Sequence, residues 1–183
     1  MSTQVRRIFS SRTAAWRETA VLAVVAWLVP FLVHLIPWSG MRPLGVYLLP
    51  VFWTTFVAVY FYGALVGLAV GLVTPLVSLA LTGLPALSMV GTMGLEVGFF
   101  ALGAAVMMSR WPAFWFTAPF AWMAAKALTI AAQFLLPAFH YADQPGQHLL
   151  RSTENGLTGL GVLAAINWLL VAFCPKTDTW ERE

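Results

Sequence analysis

Charge is what this sequence has least of. Only 9% of its 183 residues are Asp, Glu, Lys or Arg, against about 25% in an average soluble domain. From Pro43 to Ala142 there are three charged residues, Glu96, Arg110 and Lys126. No polar stretch is long enough to form a nucleotide-binding or catalytic domain, so any energy source has to come from another subunit or an ion gradient. Cysteine is nearly missing as well. Cys174 is the only one, which excludes an intrachain disulfide and a thiolate metal cluster. There is no His-Glu-x-x-His, no Gly-x-Ser-x-Gly and no phosphate-binding loop, so the commonest zinc-peptidase, hydrolase and nucleotidase chemistries lack their residues. No enzymatic activity, cofactor or nucleic-acid partner is expected.

What is present is apolar. Hydrophobic residues make up 60% of the chain and mean hydropathy is +0.81. A bilayer crossing needs roughly 20 apolar residues, and the sequence divides into six such runs: about 18–38, 45–62, 64–81, 87–109, 113–137 and 154–174. The expected architecture is an all-α integral membrane protein, a six-transmembrane-helix bundle forming a single domain. A basic N-terminal segment (1–17) precedes it and a short tail (175–183) comes after it. The first run is about 20 residues long and lacks a small-residue cleavage site, so it reads as a retained helix rather than a signal peptide. Orientation is set by the distribution of Lys and Arg. With both termini in the cytoplasm, the inner side carries Arg6, Arg7, Arg12, Arg17, Arg110, Lys176 and Arg182, and the outer side only Arg42 and Arg151. The expected location is the inner (plasma) membrane, crossed several times.

Charges inside such runs are informative. An ionised side chain in hydrocarbon costs about 2.5 kcal/mol or more, so it usually faces a protein interior or a water-filled cavity. Arg110 sits at a break beside Trp111 and Pro112, but Glu96 and Lys126 fall well inside their runs. Counting 1.5 Å per residue, Glu96 lies about 13 Å below the outer end of its span and Lys126 about 16 Å below its own. Trp53 and Thr74 come to about 12 and 11 Å. Thr129 and Gln133 lie at i+3 and i+7 from Lys126, on the same helix face. His34, Thr158 and Asn167 add polar groups from the first and last spans. Two readings remain open: a pocket opening outward, or a Glu96–Lys126 ion pair that only ties two helices together. Trp53 stands between ligand stacking and core packing. Trp16, Trp38, Trp111 and Trp180 lie near span ends, where an interfacial belt accounts for them.

Small residues recur at helix-packing spacing: Gly63, Gly67 and Gly71 with Pro75, Gly94 with Gly98, and Ala15, Thr19 and Ala23 in the first span. These rows allow close helix approach in lipid, either inside the bundle or against a partner. The sequence Leu81-Thr82-Gly83-Leu84-Pro85 reads as a fixed turn. The polar stretch Ala138–Thr153, with His140, Asp143, His148 and Arg151, reads as a loop able to act as a lid. Its two histidines are too few to specify a metal site.

Taken in order, these segments resemble the substrate-binding S components of energy-coupling factor transporters. The resemblance starts at Leu48-Leu49-Pro50-Val51-Phe52-Trp53 and continues through Gly63, Gly67, Gly71 and Pro75. It then takes in Leu81-Thr82-Gly83-Leu84-Pro85, with Met93 and Glu96 at the family's spacing. Gly156-Leu157-Thr158-Gly159 is similar to the Gly-x-Pro-Gly start of the family's last helix, with Thr158 replacing Pro. It covers about 22–174 and implies a membrane subunit that captures a vitamin or related micronutrient from outside. Such a subunit works with a transmembrane coupling subunit and two ATPases, which hydrolyse the ATP. It would bind through Trp53, Thr74, Gly83, Pro85, Met93, Glu96, Lys126, Thr129, Gln133 and Thr158. The family's docking motif, Ala-x-x-x-Ala, has its nearest equivalent in Ala15, Thr19 and Ala23, with Thr19 departing from it. The pattern around Pro50, Gly83, Pro85 and Glu96 is similar to the cobalamin- and precursor-type branch, although Phe52 stands where a polar residue is expected, and no substrate is named. Two other classes stay open: a non-transport scaffold of the kind found in cell-shape complexes, and an intramembrane enzyme using Glu96.

Overall fold

The structure, a computed structural model, describes residues 16–37, 39, 47–83, 87–135 and 145–175. They form six helices: α1 (Trp16–Leu35), α2 (Pro50–Tyr62), α3 (Ala64–Thr82), α4 (Leu87–Arg110), α5 (Thr117–Leu135) and α6 (Pro145–Phe173). No strand occurs among the described residues. Three helices are long and apolar enough to cross a membrane, over Met89–Arg110, Thr117–Leu135 and Leu150–Phe173. The apolar parts of the others are shorter, at Val24–Val33, Pro50–Tyr62 and Ala64–Ala80. Ala15, Pro85, Trp38, His140, Asp143 and Trp180 lie outside the described residues, as do the rest of 1–15 and of 176–183. The same holds for the side chains of Trp16, Thr19, Ala23, His34 and His148.

The distribution of side chains on α5 is the reverse of a soluble helix. Phe134 is 71% exposed while its neighbour Gln133 is 1% exposed. Met123 and Leu128 also face outward, and Lys126 and Thr129 inward. Water would drive the opposite arrangement; hydrocarbon drives this one, since apolar side chains cost nothing there and polar groups must find partners inside.

The shortest helix is the hub. α2 packs against each of the other five, and its Phe52, Phe56, Val59 and Tyr60 are buried. Its start is set by Leu49, whose backbone is left-handed (φ 53°, ψ 45°). That conformation cannot continue a helix and is costly for a leucine. Pro50 comes next, at the first helical position, where its missing N–H is no loss. The helix therefore begins at Pro50 and not near Gly45, where hydropathy alone places it. The Leu49 side chain rests on α6: a Cβ on Gly159 would lie 2.5 Å from Leu49 Cγ, and one on Gly156 would lie 3.1 Å from the Trp122 ring. Trp53 Nε1 donates to Leu48 O at 3.2 Å across the same turn. The Leu48–Trp53 segment and the Gly156–Gly159 segment are thus two halves of one packing unit.

α2 and α3 are joined by one residue, Gly63 (φ 85°). Its N–H donates to Val59 O at 2.9 Å, and Gly67 N–H to Gly63 O at 3.1 Å. At Gly67 a Cβ would sit 2.1 Å from Val59 Cγ2, and at Gly71 2.3 Å from Val97 Cγ1. The Gly67–Gly71 row is occupied inside the bundle, holding α3 against α2 and α4. α4 and α5 approach each other along a matching set of alanines, with Ala101, Ala104, Ala105, Ala118, Ala121 and Ala125 all buried. Between them and α2 an aromatic cluster forms the core, with Phe52 edge-on to Phe100 (5.2 Å, 89°) and to Trp122 (6.4 Å, 80°).

Two further boundaries differ from expectation or refine it. α6 begins at Pro145, so residues 145–153, expected as part of a loop, are helical. Proline at the first helical position favours initiation, and no further proline interrupts the helix through Phe173. The turn after α3 is as the Thr-Gly pair suggests: Gly83 is left-handed (φ 71°, ψ 3°) and its N–H closes onto Leu79 O.

A polar seam between the fourth and fifth helices

α4 and α5 run antiparallel. Glu96 is nine residues from the start of α4 and Lys126 nine from the end of α5, about 13 Å in each case. The two meet: Lys126 Nζ lies 2.6 Å from Glu96 Oε1, and both side chains are buried. The ammonium also lies 5.2 Å from the centre of the Trp122 ring, one turn below it on α5. An ion pair in a low-dielectric interior is favourable only when both members are held, and here one is held by each helix, with an aromatic face against the cation.

The remaining polar groups on this face of α5 are not satisfied. Thr129 and Gln133 are 2% and 1% exposed. Among the described residues neither Thr129 Oγ1 nor either amide atom of Gln133 has a hydrogen-bond partner, and the same holds for Trp122 Nε1. Trp122, Lys126, Thr129 and Gln133 form one buried stripe along about 16 Å of the helix. α4 contributes Glu96 and, one turn nearer its start, Thr92, which is buried and donates to Met89 O at 2.9 Å. The arrangement is a polar seam, closed at one end by the ion pair and lined with unused donors and acceptors toward the end where α4 begins and α5 finishes. Buried polar groups in proteins are nearly always paired, with protein, water or ligand, so this stripe stands out from the rest of the described interior.

The other sequence candidates are placed elsewhere or in different roles. Thr74 is buried but spent on Val70 O at 2.7 Å within α3. Trp53 is half-buried, and its indole N–H is taken by Leu48. Met93 is half-buried on α4, Gly83 is an exposed cap, and Thr158 is exposed, off the buried face of α6 formed by Gly156, Gly159, Leu163 and Asn167. Asn167 joins helices: its Oδ1 accepts from Ala118 N–H at 2.7 Å and its Nδ2 donates to Phe114 O at 3.3 Å, capping the start of α5. Sequence reasoning missed Thr92 and Trp122. The signal existed, since each lies four residues before a charged residue and so on its face of the helix. Thr55 was also missed; it is buried without a partner for Oγ1, and nothing in the spacing of α2 singles it out.

An apolar groove of about 550 Å³ lies on α3 and α4, walled by Leu72, Leu76, Val90, Gly94, Leu95 and Phe99. Its lining offers no side-chain hydrogen bond, and none of the polar residues of the seam contributes to it. No protein-family model, no characterised protein and no solved structure matches this chain.

Proposed function

We propose that this protein is a six-span, multi-pass inner-membrane subunit with both termini in the cytoplasm. In this reading it captures a small micronutrient of the vitamin class from outside, and the ligand lies in the seam between α4 and α5. Uptake is driven by ATP hydrolysis on two partner ATPases, reached through a transmembrane coupling subunit that docks on the first helix near Ala15, Thr19 and Ala23. The observation that carries the reading is the buried Glu96–Lys126 pair with the unpartnered Thr129 and Gln133 beside it. A pair that only stapled two helices would not require further unsatisfied polar groups next to it, since each costs about 1–3 kcal/mol. The resemblance to S components supports the same assignment, and the Lys/Arg asymmetry favours an outward position for the face where α4 starts and α5 ends.

The test is recovery of a small molecule by mass spectrometry from the purified full chain and from a Glu96→Leu/Lys126→Met variant. Removing both charges together avoids stranding one of them in the interior, so the variant is expected to insert and fold. A compound retained by the wild type and lost from the variant is the expected result, with coupling and ATPase subunits co-purifying with the wild type. Equal recovery from both proteins, or none from the wild type, overturns the site.

A further inference from the structure

We propose that the seam admits net-neutral solutes from the end where α5 finishes and rejects solutes carrying a single charge; this rests on the reading of the seam as the binding site. The floor of the seam is electrically balanced, because Glu96 and Lys126 are already matched at 2.6 Å in a buried position. A lone anion arriving there would compete with Glu96 for Lys126 and leave one carboxylate buried without a counter-charge. A lone cation would strand Lys126 in the same way. Either outcome carries the large penalty of an unpaired buried charge. A neutral molecule or a zwitterion leaves the local charge balanced.

The walls point the same way. Above the pair, the groups without partners among the described residues are a hydroxyl, Thr129, and a carboxamide, Gln133. A carboxamide presents a donor and an acceptor side by side. Its complement is a planar edge with adjacent N–H and C=O groups, as in a lactam, a ureide or a primary amide. Gln133 lies seven residues from Lys126, about 10 Å along α5, so such an edge and a zwitterionic or neutral tail fit one small molecule lying along the stripe. Gln133 is also two residues from the end of α5, so it is the member of the stripe nearest that end.

The single cysteine makes this measurable. In a Cys174→Ala background, in lipid nanodiscs, Thr129→Cys and Gln133→Cys report the seam, and Ala125→Cys, fully buried one turn below Thr129, reports a sealed position. The probes are three methanethiosulfonates of similar size: neutral hydroxyethyl, anionic sulfonatoethyl and cationic trimethylammonioethyl. Rates are divided by those with free glutathione. The neutral reagent is expected to modify Thr129→Cys at least tenfold faster than Ala125→Cys, and at least tenfold faster than either charged reagent does. Adding Glu96→Gln leaves a net positive floor, and the anionic reagent should then gain at least tenfold over the cationic one. If that variant does not fold, the charge order on the native pair decides alone. Thr129→Cys and Gln133→Cys both as slow as Ala125→Cys, or charged reagents matching the neutral one, overturns the proposal. A seam that is open and charge-selective in a protein that retains no micronutrient instead overturns the capture role and leaves this inference standing.

Discussion

Two buried carboxamides, Asn167 and Gln133, are treated in opposite ways by this fold. Both are 1% exposed. Asn167 accepts from Ala118 N–H, an open donor at the start of α5, and donates to Phe114 O, which also accepts from Thr117 Oγ1. Gln133, near the other end of α5, has no partner for either amide atom among the described residues. Burial and chemistry are the same, so neither explains the difference; the surroundings do. At the Asn167 end the bundle is sealed, with Tyr60 Oη donating to Cys174 O at 2.7 Å to pin the end of α6 to α2. At the Gln133 end no partner is found among the described residues. The contrast separates polar groups that tie the helices together from polar groups buried without a partner among the described residues.

Substitutions can break or sharpen this contrast. The largest effect is expected at the floor of the seam. Glu96→Ala strands Lys126 in the interior and should cost about 3–5 kcal/mol, seen as a large drop in thermal unfolding temperature in detergent; Glu96→Leu with Lys126→Met should recover most of it. A Glu96→Ala protein as stable as the wild type would mean that the pair is hydrated and the floor is not closed. Next comes Asn167→Ala, which removes the side-chain partner of Ala118 N–H while Phe114 O keeps its bond from Thr117 Oγ1, and should cost about 1–3 kcal/mol in the same assay. Tyr60→Phe should cost about 0.5–1.5 kcal/mol, because it deletes a hydrogen bond while keeping the ring. Gln133→Met should be the smallest, within about 0.5 kcal/mol of zero or stabilising, since removing an unsatisfied buried group removes its penalty. A large loss at Gln133→Met would show that its amide is bonded in the membrane and would erase the distinction from Asn167.

Much of the helical plan is legible in the sequence, and the misreadings are specific. The runs at 64–81 and 87–109 match α3 and α4 within a residue at each end, because Gly63, Gly83 and the Arg110-Trp111-Pro112 break punctuate them. The start of α2 is not legible, because it depends on Leu49 adopting a left-handed turn that α6 accommodates through Gly159, a contact more than a hundred residues away in sequence. The start of α6 is not legible either, because hydropathy discounts polar residues that are nevertheless helical. The glycine row of α3 is visible, but whether it serves the bundle or a partner is not; Val59 and Val97 occupy it. Among site residues, depth counting brings Glu96 and Lys126 to one level, and the i+3, i+7 spacing correctly groups Thr129 and Gln133 with Lys126. It cannot tell that Thr74 and Trp53 are already bonded locally or that Thr158 faces outward.

The sequence by itself determined that this chain is all-helical, apolar enough to cross a membrane, and equipped with two charges at matching depth in adjacent runs. Composition and linear spacing suffice for that, because helix rise and the cost of charge in hydrocarbon act on one segment at a time. Only the tertiary structure decided that the two charges pair, that Asn167 is satisfied and that Gln133 finds no partner among the described residues. Whether a donor meets an acceptor depends on how separate helices rotate and pack, and that is set by the side chains of every neighbour at once.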